Sequence, residues 1–219
     1  MISLLLGTFK LVLRALGVFL LFQLFFRVFR RVYHFPAPAF ISGALDSDLR
    51  RRIQPPDLII AHAGIEEGMS VLDLGCGPGA FTVPIARAVG PRGKVYAVDV
   101  QPAMIERLEV KLARPENADI ANVETGLASA YELPFGDDSL DAASLVGVLD
   151  EIPDQARALK ELRRVLKLGG ILAVSEHLVD PDFRFSSTTA RVGERAGFVV
   201  DDVLGSRWSY TVRFRKPER

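Results

Sequence analysis

From residue 69 onward, short apolar runs alternate with stretches whose apolar residues recur every three or four positions. The runs predict strands over 69–74 (MSVLDL), 94–98 (KVYAV), 121–125 (ANVET), 141–146 (DAASLV) and 171–175 (ILAVS). The longer periodic stretches predict helices near 79–89, 102–113 and 154–167, with a single helical turn at 129–132. In the third of these, Leu159, Leu162, Val165 and Leu166 fall at core spacing. Strands that alternate with helices in this way build a parallel sheet covered by helices, an α/β fold.

Both ends depart from the alternation. After a helix near 187–196, segments 198–204 and 207–215 alternate apolar and polar residues with no helix between them, so they must form an antiparallel hairpin. Within the second, Trp208, Tyr210, Val212 and Phe214 point one way and the polar residues the other. Upstream, Pro55-Pro56 predicts a helix start and Gly64 its stop, and Asp46 or Ser47 can cap a shorter helix before it. Residues 33–55, with prolines and a glycine at 34–46, read as a linker or cap. The domain proper is expected over 56–219.

Residues 1–32 have a third pattern: Leu, Phe and Val with no acid. The segment Met1–Phe26 is long enough to span a bilayer only if Lys10 and Arg14 are carried within it; alternatively it lies in the interface with its apolar face buried. Either way a membrane-anchor helix is expected, with membrane lipid as its partner. A cleaved signal peptide fits poorly, because the cations sit within and after the apolar run. Arg27, Arg30 and Arg31 follow directly and place the domain on the cytoplasmic side.

Charge sharpens this division. Residues 1–52 carry eight Lys or Arg against two acids, Asp46 and Asp48, so the zero formal charge of the chain conceals an acidic body. An acidic body excludes nucleic acid as the partner. Arg50-Arg51-Arg52 is expected on a solvated helix face. Cys76 is the single cysteine, which rules out an intramolecular disulfide and reads as a small residue tolerated in a tight loop.

The candidate chemistry sits in 71–79, VLDLGCGPG. Asp73 ends a strand, and Gly75, Gly77 and Gly79 let the backbone turn sharply beside the amino end of the next helix. Glycine spacing alone also satisfies a dinucleotide fingerprint. A carboxylate buried at Asp73 needs a cation, however, and the α-amino group of a methionine moiety supplies one where a pyrophosphate would be repelled. Asp99 ends the second strand (VYAVD), where a carboxylate can accept both hydroxyls of a ribose. Val100 follows it, and Met104, one turn on, can lie against an adenine face or in the core.

These residues, with LPF at 133–135, LDAASLV at 140–146 and VLKLGGILAVSEH at 165–177, resemble the class I S-adenosylmethionine-dependent methyltransferases, most closely the branch of the quinone-biosynthesis enzymes (methyltransferase type 11). The likeness covers about 53–215. It implies a Rossmann-like sheet of seven strands with the last antiparallel, and S-adenosyl-L-methionine as cofactor. It assigns Asp73, Gly75, Cys76, Gly77 and Gly79 to the methionine part, Asp99 and Val100 to the nucleoside, and Ser129, Ala130 and Tyr131 to the adenine. Val146, at the end of the fourth strand, completes that set, and no metal is implied. Two positions depart from the family pattern: Ser129 stands where an acid is common, and Asp150 where a histidine is frequent.

Methyl transfer from a sulfonium needs positioning above all, and a base only if the nucleophile must lose a proton. Asp150 and His177 are the candidates, with Glu151 and Glu176 beside them. Short connections after strands four and five leave the cover of the site to residues 33–55, so a small or lipophilic acceptor presented at a membrane surface is expected. Two other readings stand beside this one: a catalytically idle scaffold of the same fold, and a nicotinamide oxidoreductase.

Overall fold

The computed structural model describes residues 46–218 apart from Pro181. Before them it describes only Gly7, Lys10, Leu11, residues 13–15 and 17–19, Leu21, Phe22 and Phe25, all helical. Most of the expected anchor and of the linker therefore lies outside the described residues. Among the described residues, no helix is long and apolar enough to cross a membrane.

Among the described residues, six α-helices and seven strands follow from Asp48. Helix α1 (Asp48–Ile53) starts at Ser47, whose hydroxyl accepts from Arg50 N, and α2 (Pro56–Ala63) opens on Pro56 and stops at Gly64 in the left-handed conformation. Then come β1 (Ser70–Leu74), α3 (Thr82–Val89), β2 (Lys94–Asp99), α4 (Pro102–Leu112), β3 (Val123–Leu127) and β4 (Leu140–Val146). The chain closes with α5 (Gln155–Val165), β5 (Leu166–His177), α6 (Ser186–Arg195), β6 (Val199–Ser206) and β7 (Ser209–Arg215). All strands join one sheet of order β3-β2-β1-β4-β5-β7-β6. The first five run parallel, and β7 lies antiparallel between β5 and β6. The hairpin expected from 198–215 therefore forms and closes a Rossmann-like sheet.

Both faces of the sheet are covered, as parallel strands require. Val71, Val95 and Ala173 pack with Ile59, Ile60 and Ile85 of α2 and α3. Leu72, Leu145, Leu172 and Val212 pack on the other face with Leu159 and Leu162 of α5. Alternation along β1 thus turns Leu72 and Leu74 toward α5, leaving Asp73 on the face of α3.

The structure corrects four expectations of local form. Residues 129–132 are no helical turn: Ser129 and Glu132 form an isolated antiparallel bridge. The third strand lies two residues later than expected, at Val123–Leu127. Helix α3 begins at Thr82 rather than 79, because Gly79 has a positive φ and cannot continue a helix. Strand β5 starts at Leu166 directly after α5, with a register irregularity against β4 between Leu140 and Ala142.

Near the end of α6, Gly193 lies against the buried ring of Phe214; a Cβ there would come within 2.3 Å of Phe214 Cε1. Gly193→Val is expected to destabilise the fold by about 1–3 kcal/mol through overpacking, read as a lower urea midpoint at unchanged slope.

Candidate cofactor and acceptor site

The site lies along the carboxyl ends of β1, β2, β4 and β5, where ligands bind in open α/β sheets. Gly75, Gly77 and Gly79 have φ of 72°, 52° and 85°, a region that side chains other than glycine adopt at a cost. Two of them are also packed closed. A Cβ at Gly75 would lie 2.5 Å from Val148 Cγ2, and one at Gly79 would lie 2.4 Å from Leu108 Cδ1. At Gly77 it would meet nothing within 4 Å, so the loop presents open backbone there. Gly75 N and Cys76 N both donate to Val98 O and pin the loop to β2. Burial drives the Cys76 thiol far above its ordinary range, so it stays protonated and inert.

Asp73 is buried and accepts a hydrogen bond from Thr82 Oγ1 at 2.6 Å, on the first residue of α3. Burial outweighs that bond and, with nearby Asp99 adding to it, pushes the Asp73 carboxyl up to about 6. Asp99 uses both oxygens on the backbone: Oδ2 accepts from Gly77 N at 3.0 Å and Oδ1 from Gln101 N at 2.9 Å. Each oxygen keeps a lone pair for a further donor.

Around Asp99 the side chains suit a nucleoside. Val100 is 56 % exposed, as is its neighbour Leu127 at 60 %, whose Cα pairs with that of Asp99 across β2 and β3. Leu127 was not singled out in the sequence; its exposed position at a strand end is the signal that marks it. Met104 is fully buried. Ser129 Oγ accepts from Tyr131 N at 3.2 Å, and Tyr131 OH accepts from Asp154 N at 3.0 Å with Arg157 over its ring. Ala130 is half-buried between them, and Val146 is buried at the end of β4. An open glycine, a backbone-anchored carboxylate and two exposed apolar side chains in one row fit a nucleoside cofactor joined to an amino acid.

On the acceptor side Gly147 follows β4 with a positive φ. A Cβ there would lie 3.2 Å from Asp180 Oδ2 and 3.7 Å from Arg50 Nη2. Arg50 of α1 therefore reaches into the site, with its guanidinium 5.4 Å from the Phe81 ring centroid and in the field of Asp180, Glu151, Glu176 and Asp46. The expectation of a solvated Arg50-Arg51-Arg52 face fails for Arg50. Arg51 instead pairs with Asp46 at 3.0 Å, and Asp46 also binds Lys111 at 2.7 Å. Lys111 donates onward to Gly79 O at 2.8 Å, which ties the start of α1 to the cofactor loop.

Of the candidate bases, His177 Nδ1 accepts from Val179 N at 3.1 Å. The proton then sits on Nε2, which leaves this imidazole a donor. Asp150 is better placed. Its Oδ1 binds Arg184 Nε at 3.1 Å and Gln155 Nε2 at 3.0 Å, while Oδ2 is buried with no hydrogen-bond partner. Among the described residues, no group of His, Cys, Asp and Glu has the geometry to hold a metal ion.

A seven-stranded sheet with its seventh strand reversed and inserted, a glycine loop after β1 and a carboxylate ending β2 are the features the class I methyltransferase resemblance implies. Residues 65–199 match the model of the methyltransferase domain family, and the chain belongs to that family, whose cofactor is S-adenosylmethionine. It is 36% identical over 118 residues to a demethylmenaquinone methyltransferase of Staphylococcus aureus, a match covering 54% of this chain and 47% of that relative. The chain thus spans about half the length of the curated relatives it matches. Among solved structures it resembles a SAM-dependent methyltransferase from Aquifex aeolicus, with a TM-score of 0.75 and 25% identity over 82% of this chain and 98% of the other. The fold is shared with the [4+2]-cyclase SpnF, at a TM-score of 0.66 and 20% identity over 77% and 82% of the two chains. Family membership sets aside the nicotinamide reading.

Proposed function

We propose that this protein transfers a methyl group from S-adenosylmethionine to a small lipophilic acceptor that carries a hydroxyl, of the quinol type, at a membrane surface. The observation that carries the reading is the buried Asp73 carboxyl behind an open glycine loop, with the anchored Asp99 carboxylate beside it. In this reading Asp99 accepts from the ribose hydroxyls, and Val100 and Leu127 flank the adenine. The Ser129 hydroxyl serves its edge in place of an acid. Asp73 and the loop 75–79 hold the methionine part, whose ammonium supplies the cation that a buried carboxylate needs. The bound cofactor supplies a methyl group already activated on a sulfonium, so the protein's task is to bind, orient and exclude water.

Two further observations support the acceptor class. The relative from Staphylococcus aureus is named for a quinone substrate. The described helical residues near the amino terminus expose seven large apolar side chains: Leu11, Leu13, Val18, Phe19, Leu21, Phe22 and Phe25. Large apolar side chains exposed in such number suit a membrane or partner surface. In this reading residues 1–32 hold the domain on the cytoplasmic face of a bilayer, spanning it or lying in it.

The test uses the full chain, S-adenosylmethionine with a labelled methyl group, and a naphthohydroquinone bearing a prenyl chain embedded in vesicles. Label is expected in the hydroquinone. Deleting residues 1–32 is expected to lower transfer to the embedded acceptor by about tenfold or more, and to leave a short-chain acceptor in free solution unaffected. Equal rates on vesicles for both proteins would remove the membrane from the reading. Cofactor binding without label in any hydroxylated acceptor would remove the acceptor class.

A further inference from the structure

Two carboxyl groups of the acceptor side are buried with an oxygen left unpaired. Glu176, near the end of β5, is 1 % exposed, and its Oε1 has no hydrogen-bond partner; Asp150 is 7 % exposed, with Oδ2 in the same condition. Buried polar atoms are almost always satisfied, so two such oxygens together point to a ligand or a shared proton. The fold brings these two groups to the carboxyl ends of neighbouring strands: β4 and β5 pair Val146 with Ser175, and Asp150 follows the one as Glu176 follows the other. Glu176 is the register partner of Tyr210 on β7, whose hydroxyl donates to Arg184 O at 2.8 Å, and Arg184 Nε in turn holds Asp150 Oδ1 at 3.1 Å.

Resting on the proposed hydroxyl acceptor, we propose that Asp150 and Glu176 form one acid pair that shares a single proton at rest and takes the acceptor's proton during methyl transfer. The acceptor hydroxyl donates its proton to Asp150 Oδ2. The electron pair left behind makes the new bond to the methyl carbon, directly from oxygen or through the conjugated ring, as the carbon–sulfur bond breaks with its electrons kept on sulfur. If the ring carbon is methylated, its displaced hydrogen leaves as a proton and the oxygen is reprotonated. The charges close: a singly negative pair and a sulfonium before transfer, a neutral pair and a neutral thioether after it. Two ionised carboxylates at this depth would repel each other and leave a net charge behind; a fully protonated pair would accept nothing.

The surroundings favour one proton on the pair. Burial pushes Asp150 up to about 6 against the pull of Arg184, and burial with Asp150 beside it drives Glu176 well above the carboxylate range. The charged and titratable groups facing the pair are Arg50 on α1, Glu151 after β4, and Asp180, Asp182 and Arg184 before α6, with Tyr210 on β7. Burial, with Glu176 and Asp150 adding to it, raises Tyr210, which stays neutral. Asp150, standing where the family pattern has a histidine, then serves as the proton acceptor.

The test has one arm independent of any acceptor. At pH 7.5 the cofactor-loaded protein should show an infrared carbonyl-stretch band of a protonated, buried carboxyl, and Glu176→Gln should remove it. With the naphthohydroquinone acceptor, Asp150→Asn should lower kcat about a hundredfold or more, with S-adenosylmethionine affinity unchanged by calorimetry and thermal unfolding intact. The rate of the wild type should fall on the acid side near pH 6 and again on the alkaline side as the pair loses its shared proton. Glu176→Gln should lose the alkaline fall and run severalfold slower at neutral pH. A wild type without the infrared band, an Asp150→Asn variant with near-normal kcat, or an alkaline fall that persists in Glu176→Gln each overturns the pair. A band that behaves as expected in a protein that methylates no hydroxyl acceptor supports the shared proton and overturns the acceptor reading instead.

Discussion

Asp99→Asn is expected to weaken S-adenosylmethionine binding by about a hundredfold or more, measured by calorimetry on the full chain. Two losses combine. Asp99 accepts from Gly77 N and Gln101 N with different oxygens, and an amide can offer an oxygen to only one of them. The other N–H then faces an NH2 group, which costs on the order of 1–3 kcal/mol for an unsatisfied donor. A ribose hydroxyl meanwhile loses a charged acceptor, worth about 1.5–3 kcal/mol. Each 1.4 kcal/mol is tenfold in affinity, so the upper end of the ribose term alone reaches about a hundredfold, and the lost N–H bond loosens the loop that must meet the cofactor. Asp99→Glu keeps the charge but moves it outward, away from Gly77, and should fall between the two proteins. Affinity within threefold of wild type in Asp99→Asn would show that the carboxylate does not read the cofactor.

The sheet was largely legible because its strands are short apolar runs ended by Gly, Pro or Asp, and because the alternation of 207–215 has no helical counterpart. Gly64 and Pro56 marked α2 for reasons local to the backbone. The failures are those of packing. Three arginines in a row on a helix point about 100° apart, and nothing in their order says that Arg50 turns inward while Arg51 pairs with Asp46. Ser47, one of the two expected caps, fixes where α1 starts, but which arginine turns inward depends on what the helix lies against. At 129–132 the residues Ser-Ala-Tyr-Glu suit a helical turn, yet Ser129 Oγ takes Tyr131 N and closes a tight bridge instead. The acid pair shows the same limit more sharply. Asp150 follows β4 and Glu176 ends β5, and only the pairing of those two strands, with β7 and its Tyr210 inserted on the far side of β5, brings them to one end of the sheet.

Asp73→Asn is expected to stabilise the cofactor-free protein and to cripple cofactor binding, two effects of opposite sign from one carboxyl. Asp73 has its folded pKa raised to about 6 from the ordinary 3.8, chiefly by burial. A raised pKa means that the folded state holds the proton more tightly than the unfolded chain. The contribution to stability is therefore full below pH about 4 and is lost as pH rises through about 6. A shift of about two units corresponds to roughly 3 kcal/mol of lost stability at pH 7.5. Asn is isosteric, keeps an acceptor for Thr82 Oγ1 and carries no charge, so the variant should melt several degrees higher at pH 7.5, and no higher at pH 4. Asp150 and Glu176 are raised in the same direction, so the wild-type cofactor-free protein should be more stable at pH 5 than at pH 7.5. Asp119, Asp201 and Glu161, held below their ordinary values mainly by hydrogen bonds from arginines, lose their contribution only as pH falls through those lowered values. The ligand inverts the sign at Asp73. An ammonium beside the carboxylate favours its ionised form, so S-adenosylmethionine affinity should rise between pH 5 and 7 as Asp73 gives up its proton, and then level. In Asp73→Asn the profile should be flat on that side and affinity at pH 7.5 about a hundredfold lower, the cost of a buried cation left without its partner. Thermal melts and calorimetry on the same two proteins at pH 5 and 7.5 decide it. A variant no more stable than wild type at pH 7.5 would show that Asp73 is not strained by burial, and a binding profile that keeps its slope would place the cofactor's ammonium against a different group.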